Sequence, residues 1–159
     1  MVDRYRTDPL ELPSPEHPFA RADLIFYGID HSGDSFEGRT YLNAPRNLAH
    51  DAGREHPSYV GSFFIFGHGG CFGEEGHCDI PTDRDPFDLR PPHPLEPAIR
   101  ILTVTEPVRR LVESGVTEAT VTVTAHSAGE GSNDVLAFET VRLVTYTDVG
   151  AATPTPPRP

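Results

Sequence analysis

The sequence predicts an all-β protein, an antiparallel β-sandwich or jelly-roll-like barrel of six to seven strands with one short helix. Short segments rich in β-branched and aromatic residues recur along the chain at irregular spacing, separated by polar turns. Helical periodicity occurs in one segment, so strands and helices do not alternate as they do in parallel α/β folds. These two observations favour a sandwich or a jelly roll.

Proline and charge divide the chain into an arm, a domain and a tail. Residues 1–20 contain four prolines and several charges without periodicity, which predicts an extended arm that can lie along the domain. Residues 21–148 are expected to form a single β-sandwich domain, because a segment of this length can bury its own core. Residues 149–159 are proline-rich and are predicted to be a disordered tail.

Three strands are predicted in the first half of the chain. Arg21–Ile29 mixes Leu, Ile, Phe and Tyr after a polar start. Residues 36–43 alternate between apolar and polar side chains, which predicts a half-buried strand. Residues 59–67 are aromatic or β-branched at nearly every position, so this segment is predicted to be a strand covered on both faces.

The second half supplies the remaining elements. Residues 100–105, 118–125 and 135–147 predict strands, the last of them either one long strand or two short ones. Residues 106–114 are the predicted helix, since their apolar side chains share one helical face. Thr105 is its candidate cap.

Net charge and hydropathy each exclude one class of partner. The formal net charge is −11, lysine is absent, and all 13 cations are arginines. A nucleic-acid binder needs a positive surface field, so we predict no nucleic-acid partner. We also predict no membrane partner, because no apolar run approaches the roughly 20 residues that span a bilayer. No secretory signal is visible at the N-terminus, which favours the cytoplasm, with a trimmed secreted domain as the alternative.

The most distinctive stretch follows the strand at residues 59–67. It is rich in glycine and contains both cysteines of the chain together with several histidines. Thiolate and imidazole ligands together suit Zn(II) or copper, and the glycines allow the backbone to fold tightly around one ion. The sequence therefore predicts a copper or zinc site with five candidate ligands: His68, Cys71, His77, Cys78 and His93.

Other interpretations of this stretch stay open. Cys71 and Cys78 can instead form a disulfide that closes a small loop, with the histidines at the surface. Catalysis by a cysteine–histidine pair is a further alternative. Four charged residues can orient the ligands or fix the return path of the loop, and they equally fit a solvated loop face: Glu74, Glu75, Asp88 and Arg90.

Four segments follow one another in an order that is known from a protein family. Residues 36–43 end in Leu-Asn, residues 59–64 read YVGSFF before a histidine-bearing loop, residues 106–113 form the short helix, and residues 120–124 close the set. This succession resembles the small C-terminal β domain of plant-type polyphenol oxidases and related tyrosinases. The resemblance spans residues 22–147. It implies a β-sandwich of the kind that covers a dicopper site and keeps the oxidase latent.

The same resemblance bears on function. The helices that carry the copper ligands in that family have no counterpart here, which implies that the chain is not the oxidase and carries over none of its catalytic residues. It implies instead a stand-alone accessory domain that shields, assembles or loads metal into a dicopper oxidase partner. Two other hypotheses stand beside it: a small metalloprotein or metalloenzyme with copper or zinc in the loop, and a structural interaction domain with a Cys71–Cys78 disulfide.

Overall fold

The computed structural model describes residues 4–31, 33–49, 52–67, 87, 96–127 and 136–147. In these residues the chain forms nine strands and one helix, which confirms the predicted all-β class with a single short helix. The elements are β1 (Arg4–Arg6), β2 (Leu10–Glu11), β3 (Arg21–Ile29), β4 (Phe36–Leu42), β5 (Tyr59–Ile65), β6 (Ala98–Thr103), α1 (Thr105–Glu113), β7 (Glu118–Ala119), β8 (Val121–Ser127) and β9 (Thr140–Tyr146).

The strand count exceeds the predicted six to seven because very short strands form at two places. Residues 4–11 contribute β1 and β2 from the predicted arm, and residues 118–127 divide into β7 and β8. Strands of two or three residues are too short to produce a period-2 pattern in the sequence. None of the described helices is long and apolar enough to cross a membrane.

The strands form two principal sheets. One has four strands in the order β1-β8-β4-β5, the other has three in the order β6-β3-β9, and β2 pairs with β7 in a small ribbon. Every pairing is antiparallel. β5 and β6 therefore each lie at the edge of a sheet, and these two edge strands contact each other.

One main core lies between the sheets. Leu24 and Phe26 of β3 and Val123 of β8 are fully buried there. The Phe26 ring packs against the Phe63 ring of β5 with their centroids 4.7 Å apart. Each such side chain contributes about 1.5–3 kcal/mol through removal of its surface from water, so this aromatic contact fixes β5 against the three-stranded sheet.

The helix is attached to the start of β3. Val104 occupies the N-cap position and makes no side-chain cap, so the prediction that Thr105 caps the helix is wrong. The hydroxyl of Thr105 instead accepts a hydrogen bond from the Ala22 amide at 3.0 Å. The Val104 amide donates to the Ala22 carbonyl oxygen at 2.8 Å. Tertiary bonding to a buried strand thus takes the hydroxyl that a local cap would have used.

Candidate functional site

The nine predicted site residues lie outside the described residues, so the predicted ligand set stays a prediction. They are His68, Cys71, Glu74, Glu75, His77, Cys78, Asp88, Arg90 and His93. Within the described ranges, no group of three or more His, Cys, Asp or Glu side chains is placed to hold a metal ion. The structure does describe the edge that the histidine–cysteine stretch leaves after Gly67 and rejoins at Glu96, and this edge is the candidate site.

The first component of the site is the outward face of β5. Phe63 and Ile65 point into the core, whereas Phe64 is 64% exposed and Phe66, just after the strand, is 77% exposed. The prediction that this strand is covered on both faces is therefore wrong. A continuous aromatic run fits burial on two faces, but the Phe64 side chain points away from the core and faces solvent.

The second component is the outward face of β6. Ile99 is 52% exposed and Ile101 is 57% exposed, and they alternate with half-buried residues that face the other way. Both strands of the contacting pair thus expose large apolar side chains. We call the set Phe64, Phe66, Ile99 and Ile101 the apolar edge.

A glycine and an arginine hold β5 against β6. Gly61 has φ of +147°, a conformation that other residues rarely adopt, and a Cβ atom there would lie 2.7 Å from Cδ1 of Leu102, so the Leu102 side chain would have to move. The Arg100 guanidinium donates from Nε to the Phe64 carbonyl oxygen at 3.1 Å. That bond occupies an edge acceptor which another strand could otherwise use. The apolar edge therefore offers side chains rather than this carbonyl to a partner.

The ends of the histidine–cysteine stretch are tied to the connection between β3 and β4. The Gly67 amide donates to Oγ of Ser35 at 2.9 Å. Gly67 also lies so close to the backbone of Gly33 and Asp34 that a Cβ atom has no room. At the other end, Nε2 of His31 donates to the Glu96 carbonyl oxygen at 2.7 Å. These contacts fix where the stretch departs and returns.

A polar cluster flanks Phe64. In the β4–β5 register Glu37 lies opposite Phe64. Its carboxylate accepts hydrogen bonds from Ser62 Oγ at 2.7 Å, Arg54 Nη2 at 2.8 Å and Arg39 Nε at 3.1 Å. Burial by itself raises the pKa of Glu37, but the bonds from Ser62, Arg54 and Arg39 outweigh burial and lower the pKa to about 2. Glu37 is therefore an anion whose carboxylate already accepts three hydrogen bonds. Its low pKa makes it a weak base.

Sequence reasoning missed the residues that define this edge. Ile99 and Ile101 belong to a strand that has apolar residues on both of its faces, so the sequence does not show which face points outward. His31 and Ser35 lie in a polar turn, and their partners are 65 and 32 residues away. The sequence signal that bears on this edge is the aromatic strand next to the glycine-rich stretch, and it does not show which face of that strand is exposed.

Comparisons with known proteins give a likeness at the level of fold. No protein-family model matches the chain, and no curated protein matches it. A solved structure of recombinantly expressed latent aurone synthase, a polyphenol oxidase co-crystallized with hexatungstotellurate(VI), superposes with a TM-score of 0.51 at 12% sequence identity. The match covers 91% of this chain and 24% of that chain, so this chain spans about a quarter of the polyphenol oxidase. The chain thus has a fold related to part of a polyphenol oxidase, in line with the resemblance in its sequence.

Proposed function

We propose that the chain is a non-catalytic accessory β domain that docks through its apolar edge onto a dicopper oxidase of the polyphenol oxidase type. The likeness of fold supports the choice of partner. The observation that carries the proposal is the exposure of Phe64, Phe66, Ile99 and Ile101, each more than half exposed on or beside two contacting edge strands.

Burial of these side chains would supply the driving force for docking. Exposed large apolar groups mark interaction sites, and these four lie on or beside two strands that contact each other. Covering a large apolar side chain yields about 1.5–3 kcal/mol when burial is complete. The charged groups next to them, Glu37 and Arg100, form the polar rim that surrounds the apolar centre of a typical interface.

The histidine–cysteine stretch gives this docking a second purpose. The stretch leaves the sandwich after Gly67 and rejoins it at Glu96, so both of these flanking residues lie at the edge onto which the partner is proposed to dock. A domain placed in this way can shield the oxidase, assist its assembly, or pass it copper held by His68, Cys71, His77, Cys78 and His93. Thiolate and imidazole are suitable ligands for that ion.

The docking experiment uses a polyphenol oxidase catalytic domain freed of its own β domain. Calorimetric titration with this chain is expected to show binding, and the bound oxidase is expected to lose activity toward a diphenol. Phe64→Asp and Ile101→Asp should each weaken binding about tenfold or more, because a charge replaces a buried contact at the centre of the interface.

Tyr146→Asp is the matched control for these variants. Tyr146 is also an exposed large apolar residue, at 39%, but it lies on β9, away from β5 and β6 in the strand order. The control should bind like the unmodified chain, and circular dichroism should show that all three variants fold. Absence of binding, or an equal loss in all three variants, would contradict the proposal.

A further inference from the structure

A groove lies between the segment before β3 and the helix. It encloses about 260 Å³ between residues 14–19 and the C-terminal part of α1. We call it the arm–helix groove. The residues that matter for its chemistry are Pro15, Pro18, Phe19, Arg109, Val112 and Glu113.

The walls of this groove suit an apolar and rigid occupant. Val112 is buried at its base and Phe19 is half-buried beside it. The Arg109 guanidinium lies over the Phe19 ring, 5.8 Å from the ring centroid, and also pairs with Glu106. Grooves lined by aromatic rings recognise polyproline II segments, because such segments lose little conformational entropy on binding.

The same groove favours a positive charge at one end. Glu113 is the last residue of α1, where the carbonyl groups leave a partial negative charge. Its side chain is exposed and makes no ion pair with another described residue. The Arg109 charge, by contrast, is already engaged by Glu106. An occupant with proline residues and one cation therefore complements the groove.

A segment of this composition begins beside the groove. Residues 148–159 include four prolines and Arg158. The last described strand ends at Tyr146, whose carbonyl oxygen accepts from the Ala20 amide at 2.7 Å, one residue from Phe19. At about 3.1 Å per residue in polyproline II, the span from Thr147 to Arg158 reaches roughly 34 Å. A domain of this size has a radius of gyration of about 15 Å, so the segment can reach the whole groove.

We propose that the arm–helix groove binds the chain's own proline-rich segment at residues 148–159, with prolines against Pro18 and Phe19 and with Arg158 beside Glu113. Because the segment is tethered next to the groove, its effective concentration is in the millimolar range, about what a weak peptide site needs. A proline-rich segment of another protein would then have to displace it. This site is separate from the apolar edge and does not depend on the proposed docking.

The test compares amide chemical shifts of the full chain with those of a tail variant. Replacement of Pro154, Pro156 and Pro157 by serine should shift the amides of residues 14–19 and 109–113 and leave the sheet unchanged. The matched control replaces Ala151 and Ala152 by serine in the same segment and should leave the groove amides in place. The substituted residues are not among those that form the described core, and circular dichroism checks that the variants keep the fold.

A charge exchange tests the proposed pair of side chains. Glu113→Arg and Arg158→Glu should each produce the groove shifts of the proline variant, and the double variant should return the amides toward their original positions. If the chemical shifts of the groove amides do not change in the proline variant, the proposal is overturned. Failure of the double variant to restore the shifts would overturn the Glu113–Arg158 pair. Shifts that grow with protein concentration would assign the groove to the tail of a second copy and overturn the intramolecular form.

Discussion

Single residues join segments that are distant in the chain, and Glu37 shows how. Its three donors come from β4 itself, from the loop before β5 and from β5, so one carboxylate links strand to loop to strand. The Ser62 hydroxyl also hydrogen-bonds to the Tyr59 hydroxyl at 2.8 Å, which extends the network. Hydrogen bonds to an ionised group are shorter and stronger than neutral ones. The network therefore fixes the outer face of the four-stranded sheet next to Phe64.

The ionisation of Glu37 makes stability depend on pH in a defined window. Its folded-state pKa of about 2 lies below the ordinary value of 4.5, so the carboxylate stabilises the fold fully above pH 4.5. This contribution is lost as the pH falls through about 2. We expect Glu37→Gln to lower the free energy of unfolding at pH 7 by about 2 kcal/mol. We also expect the variant to lack this part of the acid-induced loss when urea unfolding is measured between pH 7 and pH 2.

Glu106→Gln is the control for that measurement. Glu106 also pairs with an arginine, Arg109, but its side chain is 66% exposed. Exposed pairs contribute little because water and salt screen them, so this variant should follow the unmodified chain closely. If the Glu37→Gln curve ran parallel to that of the unmodified chain down to pH 2, the assigned role of Glu37 would be wrong.

At the scale of elements, local patterns predicted existence and boundaries better than exposure. Arg21–Ile29 was predicted with the bounds that the structure shows, and residues 36–43 match β4 within one residue. Propensity and periodicity are local properties, so the sequence contains them. Whether a face of β5 is buried depends on what packs against that face, and Phe63 is covered by Phe26 of β3, a residue that is distant in the chain. The aromatic run was consistent with both arrangements.

The attachment of α1 to β3 gives a prediction for this scale. Thr105→Val keeps the shape of the side chain but removes the acceptor of the Ala22 amide, and Ala22 is fully buried. An unsatisfied buried amide costs about 1–3 kcal/mol, so the free energy of unfolding in urea should fall by that amount. Thr105→Ser retains the hydroxyl and should lose less than half as much. Equal losses in the two variants would show that packing of the methyl group, rather than the hydrogen bond, attaches the helix.

At the scale of the whole molecule, contacts between distant parts complete the sandwich. β1 pairs with β8 through Arg4 opposite Thr124, which places the N-terminal segment at the edge of the four-stranded sheet. Composition predicted an arm that can lie along the domain, but a three-residue strand carries no pattern that specifies its partner. The nine predicted residues of the histidine–cysteine stretch stay predictions, because residues 68–86 and 88–95 lie outside the described ranges. The structure adds the two hydrogen bonds that fix the residues on either side of the stretch, from Gly67 to Ser35 and from His31 to Glu96.

Because the residues on both sides of the stretch are hydrogen-bonded to the sandwich, a metal ion bound in the stretch would stabilise the entire chain. An ion that binds the folded chain and not the unfolded one stabilises it by about 2.7 kcal/mol at a free concentration of 100 times the Kd. For a chain of this length we expect Cu(I) or Zn(II) at that free concentration, added with the thiols reduced, to raise the Tm by roughly 5–10 °C. His68→Ala and Cys71→Ser should abolish both the binding and the rise, whereas His17→Ala, a histidine of the arm–helix groove, should retain them.

Three outcomes, measured on the chain after this titration, distinguish the hypotheses for the histidine–cysteine stretch. Four protein ligands, counted by X-ray absorption on the loaded chain, fit a closed structural or transfer site. Three ligands and a water leave an open position and favour the metalloenzyme instead. An intact mass two hydrogens below that of the reduced chain, with no bound metal, assigns Cys71 and Cys78 to a disulfide and contradicts metal binding. In that last case the likeness of fold and the apolar edge would remain as the basis for a copper oxidase partner, and the Phe64→Asp titration would decide it.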